Sequence, residues 1–331
     1  MSKFWRLIGS GVLVALLVWR MRTDGDRVVT AFKGLDVSYW IAAFLLYMVS
    51  QFISAWRWRM FATALDLGGS RRSYLSFYFV GMFFNLVLPT SVGGDVVRAW
   101  YLAHRDGSGA GRRMPAFLSV LADRVSGVII LALVACTAAA FCPVVLPRSI
   151  VLSVVAVGAA AVSGVVGLPI LDAYLATLQR PSIHIERLRR IAAGGMTYFR
   201  NIPLTVKTTV LSIFVQVNSV IVMALIGMGL GLDVPVGYYG VLMPLVSLLT
   251  LLPVSVNGMG LREYSTVLLL EPLGVEPAQA VTLAILLFAA QTAAGLTGLI
   301  PYLLGGLQRF DARAAAKESK EEEESPSTAA A

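Results

Sequence analysis

The stretch from Ala116 to Cys142 is apolar throughout and carries charge only at Asp123 and Arg124. Ser149–Leu171 and Pro277–Leu304 carry none at all. About 20 such residues cross the ~30 Å of bilayer hydrocarbon. In hydrocarbon every backbone polar group must be satisfied internally, so runs of this length become helices. The length of 331 residues would suggest two soluble domains, but hydrophobic residues make up 57% of the chain and charged residues 14%. Soluble chains are roughly one quarter charged. The chain therefore reads as an all-α polytopic membrane protein. The net charge of +8 does not point to nucleic acid, because the arginines gather at the ends of apolar runs, as the positive-inside rule requires.

About six runs qualify as spans. They are Leu7–Trp19, Val37–Trp56, Ala116–Cys142, Ser149–Leu171, Thr208–Leu230 and Pro277–Leu304. No small-x-small cleavage site follows the first, so it is an uncleaved span rather than a signal peptide. Ala at Gly227 or Gly229, near the end of the fifth, should do less damage than Val at Gly94 or Gly258. The segment from Asp172 to Lys207 is polar; its Ile183–Ile191 portion is either an amphipathic surface helix or a solvated loop. The tail from Gln308 is charged, holds Glu321–Glu324 in series, and should be a disordered cytoplasmic extension over 308–331.

One motif is written twice. Leu88-Pro-Thr-Ser-Val-Gly-Gly-Asp-Val-Val-Arg-Ala-Trp100 recurs without a gap, 164 positions on, as Leu252-Pro-Val-Ser-Val-Asn-Gly-Met-Gly-Leu-Arg-Glu-Tyr264. In each, an apolar run meets a proline and a small-residue turn, and a new helix follows. Proline and glycine break the first helix, and the next one begins with unpaired N–H groups. Broken backbone at membrane depth survives only where it lines a cavity or is buried in protein.

The loops 56–72, 104–113 and 172–207 are basic and should be cytoplasmic, as should both termini; 143–148 and 231–235 are nearly uncharged and should be outside. On that assignment each motif tips a re-entrant or broken helical hairpin, and the two hairpins are opposed. The competing arrangement has each limb crossing fully. The flanking spans follow the same shift in opposite orientation. The expectation is therefore a single transmembrane domain, 1–307, whose halves, about 37–142 and 207–304, form an inverted repeat of the kind found in secondary transporters.

Candidate chemistry gathers at the motifs. Arg98 and Arg262 each lie four residues after the glycine that the two copies share, Gly94 and Gly258, where a side chain can reach back to the helix start. There a guanidinium would add to a positive helix end and make an anion site, with a phosphate as occupant. Asp95 and Glu263 are counter-charges or proton-coupling carboxylates. The plainer alternative is that each arginine closes a structural salt bridge. Asp123 and Arg124, adjacent in sequence, point to different sides of their helix. Gly93, Gly94, Gly258 and Gly260 serve turn geometry and close packing first. Ser91 and Asn257, in the same turns, complete the candidate substrate-binding set.

Gln216, Asn218 and Gln291 read as helix–helix glue. Cys136 and Cys142 read as packing residues, and His104 and His184 fall in polar loops. No metal-ligand spacing or cofactor fingerprint is present. No nucleophile–base set is evident, so an enzyme is not expected. The rivals to transport are an integral-membrane lipid-modifying enzyme and a non-catalytic partner of one.

Three stretches in order, Leu-Pro-x-x-x-Gly-Gly-Asp-x-x-Arg98, Asp123-Arg124-Val-Ser-Gly127 and Leu-Pro-x-Ser-x-x-Gly-x-Gly-x-Arg262-Glu, resemble the flippase-like family built on the transmembrane region of lysylphosphatidylglycerol synthase. The resemblance extends from about residue 5 to 307. It implies movement of a membrane lipid between leaflets: an aminoacylated phospholipid, a polyprenyl-phosphate sugar or a hopanoid-type lipid. It also implies residence in a bacterial inner membrane. The family often has glutamate before the arginine where this chain has Asp123, a shortened acid. The soluble acyltransferase domain of the full synthase is absent from this sequence, so transport rather than lipid aminoacylation is the expectation.

Overall fold

The computed structural model describes residues 25–88, 93–105, 109–142, 144–178, 183–251, 255 and 257–304. The expected span Leu7–Trp19, the tip residue Ser91 and the tail from Gln308 lie outside them. The described residues form helices and no strands. In chain order the α-helices are α1 (Gly25–Lys33), α2 (Val37–Thr63), α3 (Arg71–Val87), α4 (Gly93–His104), α5 (Gly109–Ala140), α6 (Arg148–Ala176), α7 (Ile183–Arg200), α8 (Ile202–Gly229), α9 (Val236–Leu251), α10 (Leu261–Leu270), α11 (Pro277–Leu296) and α12 (Leu299–Leu304).

Five stretches of helix among the described residues are long and apolar enough to cross a membrane: Val37–Thr63, Arg112–Ala140, Arg148–Ala176, Ile202–Gly229 and Pro277–Leu304. They coincide with the five expected spans inside the described region. Their starts are set by local chemistry. Asp36 accepts the Ser38 N–H at 2.9 Å to cap α2, and that bond with the Ser38 hydroxyl holds the Asp36 carboxyl below its ordinary range. Asn201 caps α8 through the Leu204 N–H at 3.2 Å, with Pro203 in the first turn, where its missing N–H is harmless.

The motif-flanking helices are shorter. α4 has 12 residues and α10 has 10; at ~1.5 Å per residue neither spans ~30 Å alone. α3 packs against α4, and α9 against α10. The core divides accordingly. One cluster joins Trp58, Tyr74, Phe77, Val80 and Val97 around the first pair; another joins Met223, Ile226, Tyr238, Leu242, Leu270 and Leu287 around the second.

α2 and α8 pack along each other between these clusters. Asn218 stitches them by donating to Leu46 O at 2.8 Å and to the Ser50 hydroxyl. Gln216 donates to Gly127 O at 3.0 Å. α3 also lies against α11 and α12, where Gly298 backs onto the Phe79 carbonyl, leaving no room for a side chain, and Gly295 packs against the Leu86 side chain. α6 is peripheral. Leu152, Val155, Val162, Val166 and Ile170 are exposed along it, as suits a helix whose solvent is lipid, itself as apolar as leucine.

Of the two readings of residues 183–191, the amphipathic helix holds: they begin an 18-residue helix. Its Ala192 and Tyr198 are buried, and the Tyr198 hydroxyl donates to Phe61 O at 3.2 Å. Gly227 is packed more tightly than the apolar pattern suggests. A methyl group there would collide with the Tyr239 hydroxyl, and at Gly229 it would lie 2.9 Å from Tyr39 Cβ. Both glycines allow close helix contacts that the apolar pattern alone does not reveal.

Candidate functional site

An arginine at the centre of a bilayer costs at least ~2.5–3.5 kcal/mol, so each one must be accounted for. Three are linked with two aspartates into one chain of charge. Arg57, on α2, donates from Nε to Asp123 Oδ1 at 2.8 Å, from Nη1 to the Ser212 hydroxyl at 2.9 Å and from Nη2 to Asp123 O at 3.3 Å. Arg98, on α4, donates both Nη groups to Asp123 Oδ2 at 3.2 Å. Its Nε sits 3.2 Å from Asp95 Oδ1, close enough for charge attraction but misaligned for a hydrogen bond. Arg124, on α5, then grips Asp95 with two bonds of 2.8 and 3.0 Å.

The order is Arg57, Asp123, Arg98, Asp95, Arg124, tying α2, α4, α5 and α8 together. The first four are 3–8% exposed. The Arg98 guanidinium also lies over the rings of Trp58 and Tyr78, at 5.0 and 5.3 Å. Removing one member of such a buried set leaves its partner unpaired, typically a loss of ~3–5 kcal/mol.

Arg124 is the exception, with its side chain 45% exposed. It opens onto a cavity of about 240 Å³ that it shares with Arg262, Asn85, Asn257, Gln291 and Tyr47. Arg262, on α10, lies over the Phe288 ring at 5.0 Å. Among the described residues no carboxylate reaches ion-pair distance of Arg262. Its neighbour Glu263 accepts the Gly260 N–H at 2.7 Å instead. Among the described residues, four guanidinium groups stand in or behind the cavity against Asp95, Asp123 and Glu263, which leaves an excess of positive charge there.

The two motifs meet here. Asn257 donates to Asn85 O at 2.8 Å, and the Asn85 side chain accepts the Gly94 N–H at 2.8 Å. Gly94 backs onto the Gly81 carbonyl, and a Cβ on it would also press to 2.7 Å on the Asn85 side chain, so even alanine does not fit. Asn257, Gly258 and Gly260 all hold positive φ (51°, 74° and 79°), which favours glycine and tolerates asparagine. These strained positions turn the chain from α9 into α10.

The sequence-derived candidates separate into two groups. Arg124, Arg262 and Asn257 line the cavity. Asp95, Arg98 and Asp123 stand behind it as a buried support, so Arg98 and Arg262 do not form a matched pair. Glu263 caps α10 rather than pairing with Arg262, and Gly93, Gly94, Gly258 and Gly260 shape the turns. The helix-start N–H groups of Gly94 and Gly260 already have protein acceptors, so side chains supply the cavity's free charge. Sequence reasoning missed Arg57 and Asn85 and assigned Gln291 to helix packing. A lone amide in the aromatic run before Pro89 was the available signal for Asn85.

The family model described as "Lysylphosphatidylglycerol synthase TM region" matches residues 7–298. The chain belongs to this family. A UPF0104 membrane protein of Pyrococcus horikoshii is 27% identical over 130 residues, covering 39% of this chain and 38% of that relative. The match therefore spans under half the length of the archaeal protein. No solved structure matches the chain. What family membership establishes is a membrane protein with a lipid-related setting. Its residues 7–298 take in every described side chain of the cavity.

Proposed function

We propose that the chain is a lipid translocase, not an enzyme, moving an anionic or polar-headgroup lipid between the leaflets of a bacterial inner membrane. The observation that carries this reading is Arg262, a guanidinium in a membrane cavity with no carboxylate at ion-pair distance among the described residues, facing the same space as the half-exposed Arg124. A phosphate between them would supply the missing negative charge, with Asn257 and Gln291 as neutral ligands. The family's lipid setting supports the same reading. A phospholipid, a polyprenyl-phosphate or a hopanoid-type lipid with an anionic head meets the chemistry. The direct test is translocation in reconstituted vesicles. Purified protein should speed the flip of a fluorescent phosphatidylglycerol well above empty vesicles and above an uncharged diacylglycerol analogue. Equal, background-level rates for both lipids would remove the proposal.

The transport plan we infer is an inverted repeat with opposed re-entrant hairpins, α3–α4 and α9–α10. It is supported by the 164-residue motif shift, the short α4 and α10, and the Asn257–Asn85 bond that brings the two turns together. With both termini cytoplasmic, cysteines introduced at Arg71 and Arg112 should be shielded from an impermeant thiol reagent added outside, while one at Val275 is labelled. If position 275 is shielded along with the other two, the hairpins do not oppose each other.

A further inference from the structure

A second groove, sharing no residue with the cavity, lies between α2 and α3. It encloses about 260 Å³ and is lined by Phe52, Ala55, Trp56, Arg59, Arg71 and Leu75, with Tyr74 behind. Its chemistry is divided along its length. Phe52 and Trp56 are exposed on the outer face of α2, where the helix meets lipid, and with Ala55 and Leu75 they make an apolar floor. At one end stand two arginines. Arg59 donates only a long bond from Nε to Gly69 O, at 3.4 Å. Arg71, in the first turn of α3, has no acidic partner among the described residues. A tryptophan above an apolar slot with guanidinium groups at the end is the arrangement that suits the bilayer interface, where the ring sits at headgroup level and cations meet lipid phosphates.

We propose that this groove holds an anionic phospholipid, its phosphate between Arg59 and Arg71 and one acyl chain along Phe52, Ala55, Trp56 and Leu75. Charge complementarity selects the headgroup. The apolar floor selects a lipid over a free anion, because a hydrated phosphate gains nothing from Phe52 and Leu75. The site is a stationary lipid clasp on the flank of the first helix pair. It does not depend on translocation through the Arg124–Arg262 cavity.

The test is quenching of Trp56 in nanodiscs, taken as the difference between the full chain and its Trp56→Phe variant. Brominated phosphatidylglycerol in a phosphatidylcholine background should quench Trp56 at a several-fold lower mole fraction than brominated phosphatidylcholine. A juxtamembrane arginine contributes about 1 kcal/mol toward anionic lipid, so Arg71→Gln should reduce the preference roughly fivefold. Arg71→Lys should keep most of it, and Arg72→Gln, a neighbour that does not line the groove, should leave it unchanged. Arg71 makes no hydrogen bond that the fold needs, so its variants remain folded, and unchanged quenching by phosphatidylcholine verifies this in the same experiment.

Equal quenching by the two lipids, or a preference that survives Arg71→Gln, overturns the proposal. So does loss of the preference in inorganic phosphate but not in chloride at matched ionic strength, which would mark a site for a free anion.

Discussion

Replacing Asp123 with alanine should prevent stable folding. That carboxylate accepts from Arg57 on one oxygen and from both terminal nitrogens of Arg98 on the other, so its loss strands two guanidinium groups in a dry interior. Breaking one buried pair typically costs ~3–5 kcal/mol, and here two are broken at once. Expected outcomes are little protein recovered in mild detergent and early aggregation on heating. Asp123→Glu keeps the charge but must fit one more methylene among closely packed groups. It should fold with a smaller loss. Arg57→Met combined with Asp123→Ala removes one stranded cation and should recover part of the stability. An Asp123→Ala protein as heat-stable as the parent would show that the network contributes nothing to the fold.

The second large effect lies on function rather than folding. Arg262→Gln should lower phosphatidylglycerol translocation by at least an order of magnitude, since a hydrogen bond to a charged group is worth ~1.5–3 kcal/mol and the bulk positive charge is lost as well. Thermal stability should hold or rise slightly, because an unpaired cation is being removed from a poorly solvated site. Arg262→Lys should restore only part of the rate, as it keeps charge without the planar fork and without the same stacking on Phe288. The measurement is rate and melting on the same preparations. A full rate in the Gln variant would mean that the headgroup is held elsewhere. Loss of rate together with loss of stability would mean that Arg262 is structural.

How much of this was legible beforehand depended on whether a signal is local. The five described spans follow from apolar runs that admit no other fold in hydrocarbon. The divergence of Asp123 and Arg124 follows from adjacency on a helix: Asp123 faces Arg57 and Arg98 while Arg124 faces Asp95 and the cavity. Arg57 was hidden because Trp56-Arg-Trp-Arg59 has the composition of an interfacial cluster. α2 in fact carries the cluster on two faces: Trp56 is exposed on the lipid side, while Arg57, 5% exposed, turns into the packed interior toward Asp123 and Ser212. Glu263 had a readable signal of another kind: a glutamate three residues past the start of a helix tends to reach back to the backbone N–H there, and it does so at Gly260. Gln291 and Asn85 could not be ranked, because an amide in a span looks the same whether it meets a neighbouring helix or an open cavity. Only the three-dimensional path of α3 across α11 decides that.

The chain of charge behind the cavity also sets how tightly anything in front of it can be held. Of its five members only Arg124 is within reach of an incoming phosphate, and both of its bonds to Asp95 are already made. A headgroup can approach the Nη1 group that Asp95 leaves unused, but it then shares the guanidinium's charge with that carboxylate. Its attraction is therefore discounted by the acid already in place one residue deeper. Binding of this kind is shallow by construction, and shallow binding is what the proposed translocation needs for release on the far side of the membrane.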